Sequence, residues 1–122
     1  MKDLLVLLYI WVVIFAGITY HRSKLNDKYQ QEAYIKYNIA ITQSDRIDDL
    51  KEVAFLLEKA RLYGKLDKTS LFFLCDCYIE LEDFIKAEAI VNEVKRRNMY
   101  EHFYIFDIYI QWKLYGTVPK GE

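Results

Sequence analysis

The stretch Leu71-Phe72-Phe73-Leu74-Cys75-Asp76-Cys77-Tyr78-Ile79-Glu80-Leu81-Glu82-Asp83-Phe84-Ile85-Lys86-Ala87-Glu88-Ala89-Ile90-Val91 reads as two helices and the turn between them. Leu71, Leu74, Tyr78 and Leu81 recur at three- and four-residue steps, which puts them on one stripe of a helix opening at Thr69 or Ser70. Glu82-Asp83 makes the turn. Beyond it Ala87, Ile90, Val91 and Val94 form a second stripe. That helix finishes in Lys95-Arg96-Arg97-Asn98, where cations suit the negative end of the helix dipole and Asn tolerates left-handed backbone. Upstream, Leu50, Val53, Leu57, Ala60 and Leu62 predict another helix, capped by Asp48 or Asp49 and ended by Gly64. Before it, Leu25, Tyr29, Ala33, Ile35, Tyr37, Ala40 and Ile41 predict a helix over 25–44, closed by Ser44-Asp45. Downstream, a fifth helix runs from about Glu101 to Tyr115 and stops at Gly116, with Pro119 beyond. No segment alternates as a strand would. With one Pro, four Gly and 53% hydrophobic residues, the fold class is all-α: helices joined by short loops.

The N-terminal segment differs from all of these. Leu4 to Tyr20 contains no charged side chain, and seventeen residues of helix cover about 26 Å of the roughly 30 Å hydrocarbon layer. Lys2 before it and His21, Arg22 and Lys24 after it can reach the two interfaces, and Tyr20 suits headgroup depth. A transmembrane anchor over residues 1–24 is therefore expected, continuous with the helix that follows. The rivals are a cleaved signal peptide and the core helix of a soluble protein. The first is disfavoured because Phe15 and Ile18 flank Ala16-Gly17 and spoil the small-residue cleavage spacing. Arg22, Lys24 and Lys28 outnumber Lys2 on the other side, which favours a cytoplasmic helical domain. A bacterial inner membrane is expected; the opposite orientation and an organellar membrane remain open. Tyr9 and Trp11 lie inside the apolar run and are the candidate membrane-helix contacts, since their polar atoms lack water there.

Composition excludes several function classes. The net charge of −1, with acids and bases interspersed along the chain, offers no basic field for nucleic acid. Cys75 and Cys77 point about 200° apart on one helix, cannot bond to each other, and are the chain's two cysteines. His21 and His102 have no partner at a ligand spacing, so no metal site is expected. Phosphate-binding Gly-rich loops and nucleophile motifs are absent, and Asp48-Asp49 and Glu82-Asp83 sit where caps belong. No enzyme, no cofactor and no small-molecule substrate are expected.

Leu50, Val53, Leu57 and Ala60 match Phe84, Ala87, Val91 and Val94 at a constant offset of 34 residues. This length, with Leu71, Leu74, Cys75, Tyr78, Ala87 and Val91 in the places of the W-x2-L-G-x2-Y…A-x3-F pattern, resembles the tetratricopeptide repeat family. The resemblance covers residues 34–115: repeats at about 34–67 and 68–101, and a closing helix at about 101–115, within a helical domain over 25–116 followed by a tail over 117–122. The first repeat departs from the pattern, with Ile41 at the small position, Ser44 at the Tyr position and Val53 at the Ala position. The layout is similar to bacterial single-pass tetratricopeptide proteins of lipopolysaccharide regulation and of the translocon periphery. The paired Cys-x-x-Cys zinc module of the former is missing, so that task is not carried over.

The resemblance implies a groove lined by the first helix of each repeat, here with Phe72, Asp76 and Ile79 beside Phe103, Phe106 and Ile110. The carboxylate-clamp residues of chaperone-binding members are missing apart from Asn38. The closing helix is apolar around most of its circumference, where a terminal repeat should present a polar face. Phe103, Phe106 and Ile110, with Tyr109 and Trp112, are thus expected to meet a protein partner or the membrane surface, or to bury one another. The implied function is a membrane-anchored adaptor holding another subunit of a membrane complex. The alternative is an accessory subunit acting mainly through its transmembrane helix.

Overall fold

The computed structural model describes residues 2–117. Five helices follow in order: α1 (Lys2–Ala40), α2 (Ile47–Arg61), α3 (Lys68–Glu80), α4 (Phe84–Arg96) and, after a 3-10 turn at Tyr100–Phe103, α5 (Tyr104–Tyr115). No strand occurs among the described residues. Pro119 and the predicted tail, apart from Thr117, lie outside them.

The N-terminal run and the helix after it are one unbroken element. At 1.5 Å per residue the 39 residues of α1 extend about 58 Å. Its first half is exposed throughout, and burial begins at Asn26. α1 is long and apolar enough to cross a membrane, and its most apolar window is 0% buried. That window contributes no residue to the core of the domain.

From Asn26 onward α1 is the first member of an antiparallel array. Asn26 reaches Ala60 at the end of α2, while Lys36 pairs with Glu52 nearer its start. α3 and α4 run antiparallel in the same way, as do α4 and α5. Each helix contacts the next, and α1 also touches α3 while α3 touches α5. The three odd-numbered helices are therefore side by side and parallel, with α2 and α4 behind them. Ala33, Tyr37, Ala40, Leu50, Val53, Leu57, Ala60, Leu71, Leu74, Ala87, Val91 and Val94 make the core.

Local chemistry explains most boundaries. The Asp67 side chain accepts from Ser70 N at 2.7 Å and caps α3, and Asp83 caps α4 through Lys86 N. Asn98 and Gly116 end α4 and α5 in left-handed backbone, at φ 57° and 66°. Glu82 takes the same region at φ 60°, which turns the chain sharply into Asp83. Two expectations are corrected. α1 ends at Ala40, not at Ser44-Asp45, because Thr42 N and Gln43 N bond back to Ile39 O and Ala40 O and tighten the last turn. Asp48 and Asp49 do not cap α2. Arg46 holds that place with no side-chain cap, and both aspartates lie in the first turn, where they favour the helix dipole.

Candidate partner-binding surface

The small residue expected where α3 crosses α4 is in place: the Cys75 thiol lies 3.9 Å from the Ala87 carbonyl oxygen, donating to it, and both residues are fully buried. Tyr78 and Val91 fill the space beside this crossing, with Lys86 over the Tyr78 ring. Burial, reinforced by the nearby Asp76 carboxylate, pushes both the Cys75 and Cys77 thiols up to about 12. Thiols held protonated and out of solvent are structural, not reactive.

An aromatic row crosses the face formed by the odd-numbered helices. It begins with Tyr37 stacked on Phe73 at 4.0 Å, with Tyr34 beside them at 5.5 Å. Phe72 continues it to Phe106 at 4.7 Å and to Phe103 at 5.8 Å. Aromatic pairs of this kind contribute about 0.5–1.5 kcal/mol each beyond area burial, so the row ties α1, α3 and α5 together. Asp76 lies in the same face but is engaged within the chain, accepting from the Tyr37 hydroxyl. Burial, with that bond to a carboxylate, raises the Tyr37 pKa strongly. Ile79 is half-buried against the core.

The fifth helix presents a different face from the expected one. Phe103 and Ile110 are 0% exposed and belong to the core, so they are not available to a partner. The packed stripe is Phe103, Asp107, Ile110 and Leu114. Asp107 makes that orientation stable although it is only 2% exposed: it accepts from the Tyr100 hydroxyl at 2.6 Å and pairs with Lys95 of α4 at 3.3 Å. Gln111 and Tyr115 add bonds to Glu88 of α4. With this side fixed, the outer side carries Ile105 at 78% exposure, Trp112 at 54%, and Tyr104 and Tyr109. Tyr109 and Trp112 keep the predicted exposure and adjoin each other at 6.1 Å, with Phe84 of α4 5.9 Å from Tyr109. Phe72 and Phe106 remain partly accessible at the inner edge.

Ile105 and Tyr104 were missing from the sequence-based set. Their signal was present as the three- and four-residue steps Ile105, Ile108 or Tyr109, and Trp112. It was masked because a charged residue, Asp107, occupies the buried stripe. At the other end of the chain Tyr9 and Trp11 are wholly outward on the bare part of α1, at 70% and 69% exposure. No group of His, Cys, Asp and Glu able to hold a metal ion occurs among the described residues. Comparison with protein-family models, with curated proteins and with solved structures yields no match.

Proposed function

We propose that this chain is a non-enzymatic adaptor, anchored in a membrane by residues 4–20 and holding another subunit of a membrane complex on its helical domain. The observation that carries the reading is the outer face of α5, where Ile105, Tyr109 and Trp112 stand exposed on a helix whose opposite side is pinned by buried polar contacts. A terminal helix with one satisfied side and one bare aromatic side is complementary to a partner that buries it. Tetratricopeptide-like packing supports the reading. The order of contacts, in which each helix meets its successor and the odd-numbered helices also meet one another, is what stacked helical hairpins produce. The Cys75–Ala87 approach sits at the position where that family uses small residues. The charged flank after residue 20 favours a cytoplasmic domain on a bacterial inner membrane.

Cross-linking mass spectrometry on native membranes tests the adaptor reading. Cross-links to a second protein are expected through Lys113 of α5 and through Lys95 at the end of α4, which packs against α5. Mild detergent extraction that yields only free monomer, without such cross-links, overturns it. A second reading, an accessory subunit working through its transmembrane helix, is favoured by the outward Tyr9 and Trp11. It predicts cross-links confined to the first half of α1.

A further inference from the structure

The two ends of the helical array carry opposite charge, which the interspersed sequence conceals. Asn26 donates to the Ala60 and Lys65 carbonyls, Gln30 accepts from Asp67 N, and the Arg97 guanidinium donates to the Leu66 carbonyl at 2.6 Å. The last turns of α2 and α4 and the first turn of α3 therefore lie level with α1 residues just beyond Tyr20. Arg22, Lys24, Lys28, Lys65, Lys68 and Arg96 are exposed at this end, and among the described residues none forms an ion pair. Asp27, Asp67 and Glu101 are exposed acids there, Asp67 being the cap of α3. At the far end the balance reverses, with Asp45, Asp48 and Glu82 exposed and unpaired against Lys51 and Lys113.

A groove of about 490 Å³ opens at the basic end between α1 and the α2–α3 loop. Phe15, Ile18, Thr19 and Arg22 line it from α1, and Tyr63 and Lys65 from the loop. The Arg22 side chain is held in place by its bond to the Leu62 carbonyl and by the Tyr63 ring 5.5 Å away. Leu62 beside it is 67% exposed, an apolar side chain on the α2–α3 loop.

We propose that this groove binds an anionic phospholipid, with the headgroup phosphate between Arg22 and Lys65 and an acyl chain along Phe15 and Ile18. The inference rests on residues 4–20 spanning the bilayer: Phe15 and Ile18 are then at hydrocarbon depth and Arg22 and Lys65 at the phosphates. Charge complementarity selects the lipid, since a surface with six unpaired cations faces the leaflet directly. The acidic end points away from it. The contact holds the array upright on the membrane and adds a lipid requirement to the anchor.

The test uses the full chain reconstituted into vesicles of phosphatidylcholine alone or mixed with phosphatidylglycerol. Resistance to alkaline carbonate extraction reports insertion separately, so failure to insert overturns the span itself. Once inserted, the chain should show slower amide exchange at 62–66 and cross-linking of a photoreactive phosphatidylglycerol headgroup to the α2–α3 loop. Arg22→Gln and Lys65→Gln should each weaken the lipid dependence about fivefold, while Lys51→Gln at the opposite end leaves it unchanged. Equal exchange in both lipids overturns the site. So does equal protection by soluble glycerol phosphate in phosphatidylcholine vesicles, which would make the groove a phosphate site and not a lipid site.

Discussion

A Cβ added to Gly64 would lie 3.2 Å from the Asn26 side-chain nitrogen. Gly64 is thus required by close approach and not by unusual backbone. The Asn26 amide is committed: it donates to the Ala60 and Lys65 carbonyls and accepts from the Gln30 amide at 2.6 Å. Gln30 in turn accepts from Asp67 N, the residue that caps α3. These two buried amides fasten the α2–α3 loop to α1. Gly64→Ala is expected to displace Asn26 by a few tenths of an ångström and cost about 1 kcal/mol. Asn26→Leu, which leaves the loop carbonyls unsatisfied, is expected to cost about 1–3 kcal/mol. Urea unfolding followed by circular dichroism in detergent checks both. Equal stability of Asn26→Leu and the parent would show that water replaces the amide without loss.

The two sides of α5 predict opposite phenotypes. Phe103→Ala removes a fully buried ring that touches Phe72 and Phe106, and should cost about 3–5 kcal/mol. Ile105→Glu and Trp112→Glu alter exposed positions and should leave stability within about 0.5 kcal/mol. The same two variants should abolish partner capture in pull-downs from solubilised membranes. Loss of capture by Phe103→Ala alone, with both glutamate variants retaining it, would move the binding surface elsewhere.

The contrast between Phe103 and Ile105 also shows what the sequence could convey. Helix stripes such as Leu71-Leu74-Tyr78 are local and report themselves through spacing, so all five helices were legible, as were the ends at Asn98 and Gly116. Which of two apolar sides a helix buries depends on what its neighbours offer. Asp107 is buried because Lys95 and Tyr100 happen to meet it, and nothing in the spacing of α5 announces that. The same holds for Arg46, which cooperates with Glu80 of α3 instead of leaving the cap to Asp48. Charge polarity was invisible for a related reason: adjacent helices fold back, so cations scattered from Arg22 to Arg96 gather at one end only in three dimensions.

Alkaline pH should unfold the domain in two stages. Cys75 and Cys77 titrate near 9 when unfolded but are pushed up to about 12 when folded. Tyr37, Tyr78 and Tyr100 are likewise raised, first by burial, from an ordinary value near 10. Above these unfolded values the unfolded chain has lost protons that the native chain keeps, so stability falls as pH rises. The decline should begin near pH 9 with the thiols and steepen past pH 10 with the phenols. In Cys75→Ala/Cys77→Ala the onset should move to about pH 10, at a lower overall stability. Urea midpoints across pH 7 to 11 check this; an unchanged onset would assign the first stage to other groups.

The continuity of α1 makes its apolar first half and the helical domain mechanically one piece, since no turn separates Tyr20 from Asn26. The bare half can then serve as a mere tether or as a contact in its own right, and composition-preserving variants separate the two. Scrambling Leu4–Tyr20 keeps hydropathy and length, which govern insertion, but moves Tyr9 and Trp11 to new faces. In an adaptor working through α5, cross-links from Lys95 and Lys113 to the partner persist after scrambling, and membrane extraction behaviour is unchanged. Loss of those cross-links while Ile105→Glu and Trp112→Glu retain them would transfer the working surface to the apolar half of α1. Tyr9→Leu/Trp11→Leu then localises it, because those substitutions remove the polar atoms and leave the apolar length of α1 intact.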